Sequence, residues 1–167
     1  MNKITFEVSR LSAADVEAVQ SLARTVWQAT YPALIPQAQI DAMLAERYAA
    51  PGIQKQLESP RDAWWIARQD GSVAAFAHAQ AAPPDCKLDK LYVDPARQRS
   101  GIGAALLLAV SAWAQTQQAT RLWLQVNRGN ARAIRAYEKY GFRIVEARVF
   151  DIGRGFVMDD YILEKAL

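Results

Sequence analysis

The sequence predicts an α/β fold, a mixed and mostly antiparallel sheet of six or seven strands with helices on both faces. Three observations lead there. Residues 88–93, 103–117 and 121–126 read strand, helix, strand, a β-α-β unit whose two strands are expected to be parallel. Residues 63–68 and 73–81 are strand patterns joined by Gln69-Asp70-Gly71-Ser72, and an Asp-Gly pair between strands signals a hairpin. Between residues 12 and 57 the apolar side chains recur at helical spacing instead of alternating.

Length and composition narrow the class. A chain of 167 residues fits one domain with a core large enough to need no staples. Hydrophobic content of 51% beside 22% charged residues is that of a globular protein. The single cysteine, Cys86, excludes an internal disulfide framework and suits a reducing compartment. No apolar run approaches the ~20 residues of a membrane span, and the N-terminus does not read as a signal peptide, so the cytoplasm is the expected location. The net charge of +3 gathers its basic side chains between Lys87 and Arg154. No aromatic-basic repeat accompanies them, so a polyanionic small cofactor is the more economical explanation than nucleic acid. The arginine-rich stretch 128–143 is what a nucleic-acid reading would have to use.

In chain order, residues 3–9 alternate apolar and polar as a strand. Ser12 is a candidate N-cap with Asp15 three residues on, and Val16, Val19, Leu22, Ala23 and Val26 then share a helical face. That helix is expected to run to about Ala29 and stop before Tyr31-Pro32. A second helix should start at Pro36, carry Ile40, Met43, Leu44 and Tyr48, and halt before Pro51-Gly52; a short third follows near 53–57. Trp27 and Tyr31, at the end of the first helix, either wall a substrate pocket or pack the two helices together. His78, the only histidine, is either a base or substrate partner, or a strand histidine bonded to a neighbour; the second is favoured. Pro83-Pro84-Asp85 separates its strand from the central one.

The central strand ends at Asp94-Pro95, followed by Ala96-Arg97-Gln98-Arg99-Ser100-Gly101-Ile102-Gly103-Ala104 and an apolar helical run. Strand, glycine loop, helix aims free backbone N–H groups and a positive helix end at an anion. Without Cβ atoms at Gly101 and Gly103, a phosphate can approach the main chain. Arg97 and Arg99 add charge beside it. The loop lacks the Gly-Lys-Ser/Thr of nucleoside-triphosphate loops, and Leu106 stands where a dinucleotide fingerprint needs its third glycine.

Gln98-x-x-Gly101-x-Gly103 resembles the acyl-CoA pyrophosphate loop of the GNAT superfamily of N-acetyltransferases. A second block, Asn127-x-x-Asn130-Ala-x-Ala-Ile-x-x-Tyr137-x-x-x-Gly141-Phe142, resembles that superfamily's other signature. Asn130 is an N-cap candidate there and Gly141 a C-cap glycine. The likeness covers residues 63–165. The tail (Phe150-Asp-Ile-Gly153, then residues 160–167) and the Trp27-x-x-x-Tyr31 helix more loosely resemble the bacterial polyamine-type members.

The resemblance implies one domain over 1–167, with the 10–60 helices on the substrate side and 63–165 as the acyl-CoA-binding core. It implies transfer of an acetyl group from acetyl-CoA directly to a primary amine of a small molecule, with a non-catalytic acyl-CoA sensor as the alternative. The cofactor is expected along Leu91, Tyr92 and Val93 and at Gln98, Arg99, Ser100, Gly101, Ile102, Gly103 and Ala104, with Asn130 and Arg132 beside its arm. Tyr137 is implied as general acid; a phenol with pKa near 10 keeps its proton at pH 7. Tyr140 competes but is one helical step out of register. Trp27, Tyr31 and His78 are the candidate substrate contacts. The base is open: Lys87 stands where some family members carry Glu, and a lysine repels a cationic amine. Asp89, expected to share a strand face with Val93, is favoured over Asp85, His78, Glu146 or backbone carbonyls. Cys86 is expected to be structural, since direct transfer needs no acyl-accepting thiol. The expected partner is the small-molecule amine, with neither nucleic acid, membrane nor metal; a homodimer is compatible with all of this.

Overall fold

The computed structural model describes residues 5–98 and 100–167. Residues 3 and 4 of the first expected strand, and Arg99, lie outside the described residues. Seven strands form one sheet in the order β1-β2-β3-β4-β5-β7-β6. They are β1 (Phe6–Arg10), β2 (Asp62–Gln69), β3 (Ser72–Ala82), β4 (Asp85–Val93), β5 (Arg121–Asn127), β6 (Arg143–Gly153) and β7 (Phe156–Ala166). The helices are α1 (Val16–Thr30), α2 (Gln37–Arg47), α3 (Ala50–Glu58), α4 (Ile102–Thr116) and α5 (Ala131–Lys139).

Local signals explain most boundaries. Ser12 donates from its backbone N–H (3.0 Å) and its hydroxyl (3.1 Å) to the Asp15 carboxylate, opening the short 3-10 turn that leads into α1. Pro36 precedes α2 as expected. That helix ends at Arg47, before Pro51-Gly52 as expected, and Pro51 falls in the first turn of α3, where a missing N–H costs nothing. Asp70 and Gly71 both take positive φ, 53° and 75°, the turn that joins β2 to β3 tightly. Gly141, at φ 96°, closes α5. The same device, Arg154 and Gly155 at φ 56° and 76°, makes β6 and β7 a hairpin. Its second strand lies between β5 and β6.

Each face of the sheet has a core. On one, α4 and α5 bury Ile102, Leu106, Val110, Ile134 and Phe142 against Cys86, Leu88, Leu122, Leu124 and Leu163. Ala75, Ala77 and Ala79 of β3 face the same side, and their small side chains let α4 lie close. On the other, α1, α2 and α3 bury Val19, Trp27, Ile40, Met43 and Ile53 against Trp64, Ile66 and Phe76.

Two irregularities in β4 matter most. It pairs with β5 in parallel, as the β-α-β reading requires, but only at Asp85↔Arg121, Cys86↔Leu122 and Lys87↔Trp123. Beyond Lys87 the two strands separate. β4 also carries a bulge: His78 pairs with Lys90 while Ala79 pairs with Leu88, which leaves Asp89 as the extra residue. The bulge reverses the alternation. Leu88, Leu91 and Val93 belong to the α4 side, whereas Asp89, Lys90 and Tyr92 turn toward α1 and α2. The expectation that Asp89 and Val93 share a face is therefore corrected.

Candidate active site

The gap between β4 and β5 leaves one side of β4 without a ladder partner. Asp94 N–H donates to Ala74 C=O at 2.8 Å, toward β3. Backbone groups alternate along a strand, so the N–H groups of Val93 and Leu91 point the other way, into the gap. The Gln98 side chain lies over its mouth, its Nε2 donating to Val93 C=O at 3.4 Å. Its Oε1 is buried with no hydrogen-bond partner among the described residues. A buried orphan acceptor is costly unless a ligand supplies a donor.

The glycine loop sits at the end of that gap. Gly101 adopts φ 83° immediately before α4. The first helical bond comes from Ala105 N–H to Gly101 C=O, so the amides of Ile102, Gly103 and Ala104 precede the ladder and are free to point at an anion. A Cβ on Gly103 would lie 3.7 Å from Val93 Cγ2 and 3.8 Å from the Tyr140 hydroxyl. The α4 amides, the end of β4 and Tyr140 thus converge. Ser100 Oγ is turned inward onto Arg97 C=O at 2.7 Å. Arg97 is committed to β2, donating to Gln69 C=O and Oε1 at 3.1 and 2.9 Å, and does not reach over the loop.

From α5, Asn130 caps the helix by accepting from Ala133 N–H at 3.3 Å. Tyr137 packs edge-on against Phe142, ring centroids 5.5 Å apart, on the α4 side of the gap. Burial raises its phenol above the ordinary tyrosine value, with Tyr92 and Tyr140 nearby adding to the shift. Arg132 is exposed on α5.

The opposite face of β4 is charged. Asp89 Oδ2 lies 2.6 Å from Lys90 Nζ, 3.2 Å from His78 Nδ1 and 3.3 Å from Arg47, and Lys87 Nζ lies 3.5 Å from Oδ1. Arg47 also donates to Asp89 C=O at 3.1 Å. Burial works to raise the Asp89 carboxyl; the hydrogen bond from His78 and the Lys90 and Arg47 charges override it and hold it far below the carboxylate range. A carboxylate held so firmly in its charged form is a poor proton acceptor, so its geometry makes Asp89 a counter-ion to the cations rather than the expected base. Burial lowers Lys90 to about 8 against the pull of Asp89.

His78 is fully buried, stacked on Trp64 at 4.6 Å, with its second ring nitrogen 2.7 Å from Asp62. Both nitrogens are taken, so it meets no substrate. Trp27 is 1% exposed and its indole N–H already reaches the Tyr48 hydroxyl at 3.2 Å; it packs α1 against α2 and walls nothing. Tyr31 is half-buried, its hydroxyl 3.1 Å from that of Tyr92. Tyr31 and Tyr92 thus bring phenols to the charged face, and burial raises both. Cys86 is buried, its thiol pushed up to about 11, as befits a core residue.

Three participants had no sequence signal. Arg47 is simply the last residue of α2. Leu34, in the α1–α2 connection, lies so close to Gly129 that a Cβ there would come within 2.7 Å of its Cδ2. Asp160 on β7 is 1% exposed, accepts 3.3 Å from Gln125 Nε2 and pairs with no cation among the described residues. Burial raises it, against the Gln125 hydrogen bond and the positive charges of Arg47 and Lys87.

Comparison with known proteins gives the same picture from outside. Residues 20–142 match the family model described as Acetyltransferase (GNAT) family. An N-acetyltransferase of Mycobacterium tuberculosis, itself named uncharacterized, is 35% identical over 146 residues, 87% of this chain and 92% of that one. The ribosomal protein bS18 alanine N-acetyltransferase of Escherichia coli is 40% identical over 74 residues, 44% of this chain and 50% of that enzyme. Among solved structures, the PaiA N-acetyltransferase from Thermoplasma acidophilum in complex with coenzyme A superposes with a TM-score of 0.85 at 23% identity, covering 98% of this chain and 100% of that one.

Proposed function

The chain belongs to the GNAT acetyltransferase family, and from that premise we propose that it acetylates the primary amine of a small molecule by direct attack, with no acetyl-enzyme. It is an N-acetyltransferase and acetyl-CoA is its donor. The observation that carries the reading is the gap: a central strand with unpaired N–H groups on one side, running from the free amides of α4 toward the point where β4 and β5 meet.

The residues present fit the donor. The amides of Ile102, Gly103 and Ala104 would hold its pyrophosphate, each such hydrogen bond contributing about 1.5–3 kcal/mol. Leu91 and Val93 would bond its arm, and the orphan Gln98 Oε1 would accept an amide N–H from it. Asn130 and Arg132 are assigned to the same arm. Bound there, acetyl-CoA supplies an activated acetyl group.

The chain's own work is then electrostatic. Held by the α4 amides and by Leu91 and Val93, the donor would present its acyl group to the unpaired N–H groups of β4. The N–H of Leu91 or Val93 stabilises negative charge developing on the acyl oxygen. Tyr137, kept protonated by burial, gives its proton to the departing sulfur. The amine approaches from the α1–α2 face, past Tyr31 and under Leu34. The helices of residues 10–60 thus form the acceptor side of one domain and 63–165 the donor core.

The sensor reading is favoured by one observation, the cations Arg47 and Lys87 on the amine face. For assembly, we read the exposed Ile144, Val145 and Val149 of edge strand β6 as the face a second copy would cover, which sedimentation checks. Incubation with acetyl-CoA and an amine panel, read as acetylated product by mass, tests the function. A sensor binds coenzyme A and yields none.

A further inference from the structure

The amine face of the gap carries a charge arrangement that direct transfer alone does not require. Arg47 and Lys87 stand at the apex where β4 and β5 separate, their side chains 25% and 26% exposed. With the more deeply buried Lys90 they make three cations around one carboxylate, Asp89. The positive charge left over is held in place by aromatic rings: Lys87 lies 5.1 Å over Trp123, Arg47 5.8 Å from Trp27, and Lys90 5.1 Å over Trp64. Next to Arg47 are the phenols of Tyr31, Tyr48 and Tyr92. A guanidinium, an ammonium and phenol hydroxyls grouped at a partly open position are the components of a carboxylate receptor.

We propose that the acceptor is a small amine that also carries a carboxylate, its carboxylate meeting Arg47 and Lys87. This rests on the acetyl-transfer reading above and replaces a polycationic acceptor, which the cations would repel. Proton and electron bookkeeping closes with these groups. The ammonium gives one proton to solvent, the nitrogen lone pair forms the C–N bond, the C–S bond breaks with its electron pair on sulfur, and the sulfur takes the Tyr137 proton. The second proton on the amine nitrogen then returns to the Tyr137 phenolate, so that one proton is released in all.

The test uses the full chain with a series of ω-amino acids from glycine to 6-aminohexanoate, each beside its carboxamide and the diamine of equal length. Affinity for the coenzyme A-loaded protein is read by calorimetry and kcat/KM by thiol release. At the best length the amino acid is expected to exceed both analogues by about tenfold to a hundredfold, the range of a charge-assisted hydrogen bond. In Lys87→Gln, with an unchanged coenzyme A-induced thermal shift, that advantage should shrink and the diamine should improve. Equal or better use of the diamine or carboxamide overturns the proposal. If nothing turns over but the amino acid binds best, the acceptor class stands and the acetyl-transfer reading falls. If no amino acid binds, the acceptor class falls.

Discussion

Single residues decide whether the site can be both charged and stable. Asp89 faces Arg47, Lys87, Lys90 and His78, and its carboxyl is held far below its ordinary value. A carboxyl depressed in the folded state adds stability that is fully present above its unfolded pKa, ordinarily about 3.8, and is lost progressively as pH falls below this value toward the much lower folded one. Asp89→Asn leaves three cations uncompensated, so a loss of about 3–5 kcal/mol at neutral pH is expected, with a flatter acid branch. Denaturant unfolding measured at several pH values checks both. Tyr137→Phe removes a hydroxyl and little volume. The fold and the thermal shift with coenzyme A should survive, while kcat falls at least about tenfold, general acids being worth about 10²–10⁴. Loss of coenzyme A binding instead would make the hydroxyl a binding contact. Because burial raises the phenol, its ionisation contributes no alkaline limb below the ordinary tyrosine range.

Elements show which parts of this were legible in the sequence. The β4-α4-β5 unit, the Asp-Gly hairpin and the α5 caps are local: their residues adjoin the structure they dictate. The glycine loop was legible for the same reason, and it gives the clearest test of an element. Gly103 has room for a side chain, its nearest neighbours being 3.7 and 3.8 Å from a Cβ. Gly103→Glu should fold and abolish the coenzyme A shift, because it puts a carboxylate where pyrophosphate belongs; an unchanged shift would place the anion site elsewhere. Gly101, at φ 83°, has open space but the wrong backbone for a side chain. Gly101→Ala should cost about 1–2 kcal/mol, read as a lowered melting temperature. The bulge at Asp89 was not legible. One extra residue in a strand leaves no periodic trace, and the partners that fix it come from α2, β2 and β3. Trp27 and His78 were ambiguous for a related reason: an aromatic or histidine reads alike whether its face is open or covered. Asp160 was hidden by the sheet order, since only the return of β7 beside β5 brings it to the Gln125 amide.

For the molecule as a whole, the proposed donor site is the splay between β4 and β5, and binding there couples stability to function. Coenzyme A binds the folded state and not the unfolded chain, and at a hundred times its Kd it should add about 2.7 kcal/mol, seen as a raised melting temperature. Binding of this kind is shared by an enzyme and a sensor. What separates them is whether the gap lets an amine reach the thioester while both are held. The most direct measurement is the initial rate of thiol release over a matrix of acetyl-CoA and amine concentrations. Direct transfer predicts release that depends on the amine and reciprocal plots that intersect, with acetylated amine formed in equal amount. Parallel lines would contradict it by requiring an acetyl-enzyme, and coenzyme A binding without any amine-dependent release would contradict the account at its centre.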